Sequence, residues 1–371
     1  MGYLDAFATS AILKDTQRRV EFVVKQTDTK KRFPFIVVGL LVLLAMVAFS
    51  GSALGQAGQA RAGARESRIP VGGPSLYARE AGSGQPLIVL HGGPDFDTGY
   101  LLPELDRLAD GYRLLYYDQR GRGKSAQGVR PEDVTLASDV DDLDRVRAHF
   151  RLDATALLAH SWGTLLALEY ALRHPTQVSH LILMNPAPAS AVQLGVLRAS
   201  YLAQLGSDMD RQREITASAA YKEGDPATVA ARYRIHFKYG LRRAADYEKL
   251  MARMSAGFHS QGKDGILKAW AIEERLYHDT WQAPGYDLLP RIHELRIPTL
   301  VIVGEQDFIP TQIASEIAQA VPNATLVRIS NCGHFAYMEC GTDVRSAIDQ
   351  FFRRTGGPPG RSESSPTRRT R

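Results

Sequence analysis

Six short apolar runs separated by helix-patterned segments restrict this chain more than any other feature of its sequence. They are residues 86–91 (PLIVLH), 112–118 (YRLLYYD), 154–159 (ATALLA), 178–184 (VSHLILM), 298–303 (PTLVIV) and 324–329 (ATLVRI). Runs this short and this continuously apolar suit parallel strands covered on both faces. Helical patterns fall between them, over 99–109, 135–150, 162–173, 311–320 and 342–353. Strand–helix alternation predicts an α/β protein with a doubly wound, mostly parallel sheet. From about residue 190 to 290 the strand signal disappears, leaving helical patterns rich in Arg, Glu, Tyr and Ala. This stretch reads as a helical cap, 190–290, inserted between two parts of the sheet domain, 69–189 and 291–355.

Composition narrows the function classes. With 44% hydrophobic and 23% charged residues, the 371-residue chain is neither mostly disordered nor a multi-pass membrane protein. Two cysteines exclude a disulfide scaffold and a Cys-rich zinc module. The formal charge of +5 is unevenly placed: segments 1–32, 51–68 and 353–371 are net basic, and the body between them is net acidic. A nucleic-acid partner is therefore not expected, because the folded part lacks the basic footprint. No metal-ligand spacing and no dinucleotide fingerprint is visible, so neither a metal nor a cofactor is expected.

Residues 33–50 (FPFIVVGLLVLLAMVAFS) carry no charge, and Lys30, Lys31 and Arg32 precede them. As a helix these eighteen residues would span roughly 27 Å, near the hydrocarbon thickness of a bilayer. The basic segment 1–32 predicts an N-terminus on the cytoplasmic side and a body on the other. The reading is a single transmembrane signal anchor. The alternative is a signal peptide cleaved among the small residues Ala53–Ala57, giving a secreted or periplasmic body. Arg18-Arg19 lies too far from the apolar run to suit twin-Arg export. Residues 51–68 read as a flexible linker and 356–371 as a disordered basic tail.

The chemistry centres on ATALLAHSWGT, residues 154–164. An apolar strand runs into Ser161 and then into a helix, the strand–Ser–helix turn of a nucleophile elbow. Ala159 and Gly163 are small enough for the turn to tighten. A serine hydroxyl needs a base, and the base needs an orienting acid. Asp307 follows the fifth apolar run in GEQDFIP, and His334 follows the sixth in SNCGHFAYME. Both lie just past carboxyl ends of strands, where parallel-sheet sites form. Glu305 competes with Asp307 but is better placed to shape the loop. Gly93, in LHGGPD after the first run, and Trp162, after the serine, supply backbone N–H groups for an oxyanion hole. His91 and His160 read as residues that hold loop geometry. The loop 118–125 (DQRGRGKS) reads as structural, with Arg120 held by carbonyls or an acid. Cys332 and Cys340 bracket His334; they are either a disulfide bracing that loop or two unpaired thiols.

Taken in order, the HGGP loop, DQRGRGKS, HSWG, GEQD and GHFAYME resemble the α/β-hydrolase superfamily, and within it the proline iminopeptidases of serine peptidase family S33. The resemblance covers about residues 69–353. It implies the α/β-hydrolase fold with a cap and an aminopeptidase that releases N-terminal proline, or another small residue, from short peptides. Three positions depart from the family: Asp95, Ala159 and Thr164 stand where glycine is usual. The family's AW-x-x-WE segment, whose Glu helps hold a substrate ammonium, is matched by AWAIEE, residues 269–274. Glu274 takes the carboxylate position and Glu273 replaces the second Trp. The resemblance thus implies Glu274, with Asp95 at the mouth of the loop, as substrate-binding residues. A carboxylesterase or amidase on small substrates is the alternative activity, and a non-catalytic ligand-binding hydrolase fold the remote one.

Overall fold

The computed structural model describes residues 63–356. The expected basic segment 1–32, membrane helix 33–50, most of the linker 51–68 and nearly all of the tail lie outside the described residues. Among the described residues no helix is long and apolar enough to cross a membrane.

Eight strands form one sheet in the order β1-β2-β4-β3-β5-β6-β7-β8. These are β1 (Arg65–Pro70), β2 (Ser75–Gly82), β3 (Gln85–Leu90), β4 (Tyr112–Tyr117), β5 (Thr155–His160), β6 (Val178–Met184), β7 (Thr299–Gly304) and β8 (Ala324–Ile329). From β4 through β8 every neighbouring pair is parallel, while β1–β2 and β2–β4 are antiparallel. All six apolar runs are strands within a residue or two of their expected ends. The two antiparallel strands were not expected. β1 reads RESRIP and buries only Ile69, so the linker expected over 51–68 gives way to a strand at Arg65. A charged edge strand carries no apolar signal for a sequence reading to find.

Between the strands lie α1 (Leu136–His149), α2 (Gly163–Arg173), the cap helices α3 (Ala191–Leu205), α4 (Asp208–Ala217), α5 (Ala219–Lys222), α6 (Pro226–Phe237) and α7 (Ala244–Asp279), then α8 (Leu289–Ile292), α9 (Thr311–Ala320), α10 (Ala336–Glu339) and α11 (Gly341–Thr355). Thr135 caps α1: its side chain accepts from Ser138 N while Ser138 reciprocates. The helix expected over 99–109 is instead two 3-10 turns, Thr98–Leu101 and Glu104–Ala109. Pro103 lies between them; it lacks an N–H and cannot continue the first turn as an α-helix. The cap's longest helix breaks at Gly262, whose φ of 65° is left-handed. At its base the cap closes on itself. Ser190 pairs with Asp287, Leu288 N donates to Ala189 O, and Trp281 Nε1 donates to Pro188 O at 2.9 Å.

The DQRGRGKS loop packs under the sheet's carboxyl end as a buried ion network. Arg120 makes a two-pronged bond to Asp142, and Arg122, 1% exposed, makes another to Asp139. Arg122 also donates to the Gln119 side chain and the Arg120 carbonyl. Burial holds the Asp139 carboxyl above its ordinary range even with Arg122 alongside. Removing one member of such a pair leaves an uncompensated buried charge. Arg122→Leu is therefore expected to lower the unfolding free energy by about 3–5 kcal/mol in urea titrations; a loss below about 1 kcal/mol would mean that the pair contributes little.

Candidate active site

The turn at Ser161 brings the site together. Ser161 has φ of 54°, a left-handed conformation that residues other than glycine rarely adopt. Its N–H donates to Met184 O at the end of β6, and its carbonyl accepts from Thr164 N, Thr164 Oγ1 and Ala187 N. Thr164, at a position usually occupied by glycine, thus braces the turn with its hydroxyl. Gly163 is required by packing: a Cβ there would lie 2.6 Å from Leu90 O and 2.7 Å from His91 O. Helix α2 consequently starts directly against β3, and the Ser161 side chain stands at the carboxyl end of the sheet.

Two other loops reach it. His334 Nε2 lies 3.0 Å from Ser161 Oγ, and His334 Nδ1 lies 3.0 Å from each carboxylate oxygen of Asp307. A carboxylate only accepts, so Nδ1 carries the proton and Nε2 is free to accept from the serine. Asp307 is in turn held by Ile309 N–H at 2.8 Å and by Asn185 Nδ2 at 2.8 Å. Glu305 is exposed and accepts the Ser330 hydroxyl at 2.8 Å, a loop contact away from His334. Cys332 and Cys340 form a disulfide with a Cα–Cα distance of 6.3 Å, so the bridge reading holds over the unpaired one. Glu339, between them, accepts from Gly333 N, Arg242 N and Arg243 N and ties the His334 loop to the cap.

Asn185 was missed by the sequence reading. It is fully buried at the end of β6, has φ of 48°, and donates to both Asp307 and the Gly333 carbonyl. The signal that could have found it was its place one residue after an apolar run, the same signal that marked Asp307 and His334.

Gly93 follows Gly92, which lies against the Ser161 side chain, and Trp162 directly follows the serine. Among the described residues neither N–H donates to a protein acceptor, which leaves both free for a developing oxyanion. His91 is neutral: burial, then the nearby Arg122, pushes its pKa down to about 3. Its Nε2 accepts from Gln119 N and its Nδ1 bonds Gly92 O, so it fastens the glycine loop to DQRGRGKS.

Asp95 at the end of the glycine loop and Glu273 of the cap form an acid pair. Asp95 accepts the Tyr233 hydroxyl at 2.8 Å and is 7% exposed. Glu273, bonded by Tyr277, faces it, and the Arg232 guanidinium stacks on the Tyr233 ring at 4.8 Å. The Arg232 Nε has no hydrogen-bond partner. Glu274 is exposed on the same helix, which corrects its expected place in the site. Adjacent helical residues point about 100° apart, so only one of the two glutamates can face inward. Burial, reinforced by the neighbouring Asp95, pushes the Glu273 carboxyl up to about 8, and burial raises that of Asp95 as well. Among the described residues no group of three or more His, Cys, Asp or Glu is placed to hold a metal ion.

A carboxyl with a raised pKa favours the folded state most while it is protonated, at or below its ordinary range. That contribution is lost as the pH rises through about 8. Glu273→Gln stays neutral and removes this dependence. Its melting temperature should gain on that of the unsubstituted protein as the pH rises from about 5 to about 9; a constant difference would show that Glu273 ionises as an ordinary surface acid.

Comparison with known proteins identifies the fold. Residues 85–339 match the family described as alpha/beta hydrolase fold. A proline iminopeptidase of Lactobacillus delbrueckii subsp. lactis is 28% identical over 301 residues, covering 77% of this chain and 97% of that protein. Among solved structures, a proline iminopeptidase-related protein from Thermus thermophilus superposes with a TM-score of 0.60 at 23% identity, over 78% of this chain and 97% of that one. A 2-hydroxy-6-oxo-6-phenylhexa-2,4-dienoate hydrolase from Rhodococcus sp. strain RHA1 reaches 0.61 at 16% identity, over 78% and 99%. These two likenesses speak to the fold, and the family match extends over most of the chain. The chain belongs to the alpha/beta hydrolase fold family.

Proposed function

We propose that this hydrolase is a serine hydrolase working through an acyl-enzyme, and that its substrates are short peptides with a free N-terminal proline or other small residue. The observation that carries the first part is the Ser161–His334–Asp307 alignment, with both bonds at 3.0 Å. Ser161 Oγ attacks the scissile carbonyl and His334 Nε2 takes its proton. Asp307 holds the Nδ1–H and stabilises the imidazolium. Gly93 and Trp162 N–H groups stabilise the oxyanion. His334 then protonates the leaving amine, and water, deprotonated by the same imidazole, releases the acyl group.

The aminopeptidase part rests on the proline iminopeptidase relatives and on the Asp95–Glu273 pair. A substrate ammonium docked beside these two carboxyls would favour their ionised forms, and they would offset a charge that is costly to bury alone. The same pair favours a second reading. With Glu273 pushed up to about 8, this carboxyl is mostly neutral at pH 7, and its surroundings suit a small ester or amide.

The protein and its Ser161→Ala variant, assayed on prolyl- and alanyl-naphthylamides and on short-chain p-nitrophenyl esters, separate the readings. The expected result is aminoacyl turnover that falls at least about 10³-fold in the variant. Ester turnover without aminoacyl turnover would leave the esterase reading; undiminished activity in Ser161→Ala would remove the serine mechanism. We also propose that residues 33–50 anchor the enzyme in a membrane with its catalytic part outside the cytoplasm. Fractionation is expected to recover it with membranes, and a soluble form beginning after Ala53–Ala57 would refute retention.

A further inference from the structure

Tyr100 and His160 stand outside the Ser161–His334–Asp307 triplet, yet they join its surroundings. Gly92 N–H donates to the Tyr100 hydroxyl at 2.6 Å. That hydroxyl lies 2.8 Å from His160 Nδ1, and His160 Nε2 lies 2.9 Å from the carbonyl oxygen of His334. A carbonyl can only accept, so Nε2 carries the proton and Nδ1 accepts. The Tyr100 O–H must therefore donate to Nδ1, and its lone pair takes the Gly92 N–H. Each group has one available role, and the bonds run in one direction, from the glycine loop under the elbow to the His334 loop.

The surroundings leave this path little slack. His160 is 1% exposed, with the Tyr337 ring 5.4 Å and the Phe335 ring 5.7 Å away. Tyr337 donates to the Tyr100 carbonyl at 2.9 Å. A Cβ on Gly92 would lie 2.7 Å from Ser161 Cβ and 2.8 Å from the Tyr100 hydroxyl. The glycine loop thus rests directly on the nucleophile's own backbone turn.

We propose that Tyr100 and His160 are positioning residues, and that the Nε2–H tautomer of His160 fixes the spacing between the oxyanion loop and His334. The inference deepens the serine hydrolase reading and rests on it. The titratable groups around His160 are Tyr100, Tyr337 and His334, whose ring centroid is 4.9 Å away. Burial, with His334 nearby, holds the His160 pKa well below its usual value, so its ring stays neutral. A cation there would repel the imidazolium that His334 becomes in each catalytic cycle. A neutral donor supports the His334 backbone without that repulsion.

The test uses the whole protein and a probe that does not depend on its natural substrate: the rate of Ser161 labelling by a fluorophosphonate, alongside kcat and KM on p-nitrophenyl acetate. Tyr100→Phe and His160→Phe keep ring volume and remove the bonds. In both, labelling and kcat are expected to fall about tenfold or more, with KM within about twofold. His160→Gln offers an acceptor and a donor at similar spacing and should recover most of that loss. Nitrogen-15 NMR of the unsubstituted protein should show His160 as the Nε2–H tautomer, unchanged where His334 titrates. Labelling and kcat at unsubstituted rates in both Phe variants, or an Nδ1–H tautomer, would overturn the inference while leaving the serine mechanism standing. Failure of the unsubstituted protein to label would overturn the serine mechanism and this inference together. Tyr100→Phe removes one oxygen atom, so it decides the matter even where His160→Phe does not fold.

Discussion

The backbone at Ser161 is left-handed, and a conformation of that kind costs on the order of 1–3 kcal/mol for a residue with a side chain. It persists because the surroundings over-determine it. Its N–H is taken by β6, and its carbonyl by Thr164 and by Ala187 beyond β6. Gly163 lets α2 approach β3, and Gly92 lets the preceding loop lie against the serine itself. Without these fixtures the turn would relax and the hydroxyl would leave the end of the sheet. The parallel strands therefore do more than fill a core. They deliver Gly92, Ser161, Asn185, Asp307 and His334 to one edge from five different points in the chain.

What could be read in advance follows from how each feature is encoded. β3 through β7 are buried along most of their length and announce themselves as apolar runs, and β8, a half-buried edge strand, still carries one. Ser161, Asp307 and His334 follow such runs, so their order and strand-end placement were legible. β1 was not, because an edge strand with a single buried side chain looks like linker. The turns around Pro103 were misread as a helix because the apolar spacing of Leu101, Leu105 and Leu108 fits one; a single residue without an N–H interrupts it. Glu274 was chosen over Glu273 from a motif, although only the register of the helix beyond the Gly262 break decides which one faces inward. Asn185 has the same strand-end placement, yet its role, like that of the path through Tyr100, does not show in any local pattern. Their roles consist of partners more than a hundred residues away in the case of Asn185, and sixty away for Tyr100 and His160.

Two groups of charged residues near the site differ in chemistry. Under the site, Arg120 and Arg122 are each matched by a two-pronged bond to Asp142 and Asp139, although the Arg122 Nε has no partner. Above it, Asp95 and Glu273 face each other with the Arg232 Nε unpaired. A network in which each guanidinium has its own carboxylate resists change and holds a loop. A carboxyl pair pushed toward its neutral form answers to whatever enters beside it. Rigidity beneath the nucleophile and responsiveness above it are thus built from the same residue types, separated by how completely each charge is matched.

The closure at the base of the cap has a further meaning. Because Ser190 meets Asp287, chain leaving the sheet after β6 returns to nearly the same point before β7. The sheet experiences the intervening hundred or so residues as one short connection, and the entropy of closing a loop grows only slowly with its length. Additions, losses or re-pairings among α3 to α7 would leave the strand ends where they are. The cap can therefore vary while the strand ends stay in place, except at residues 240–243, whose backbone holds the His334 loop.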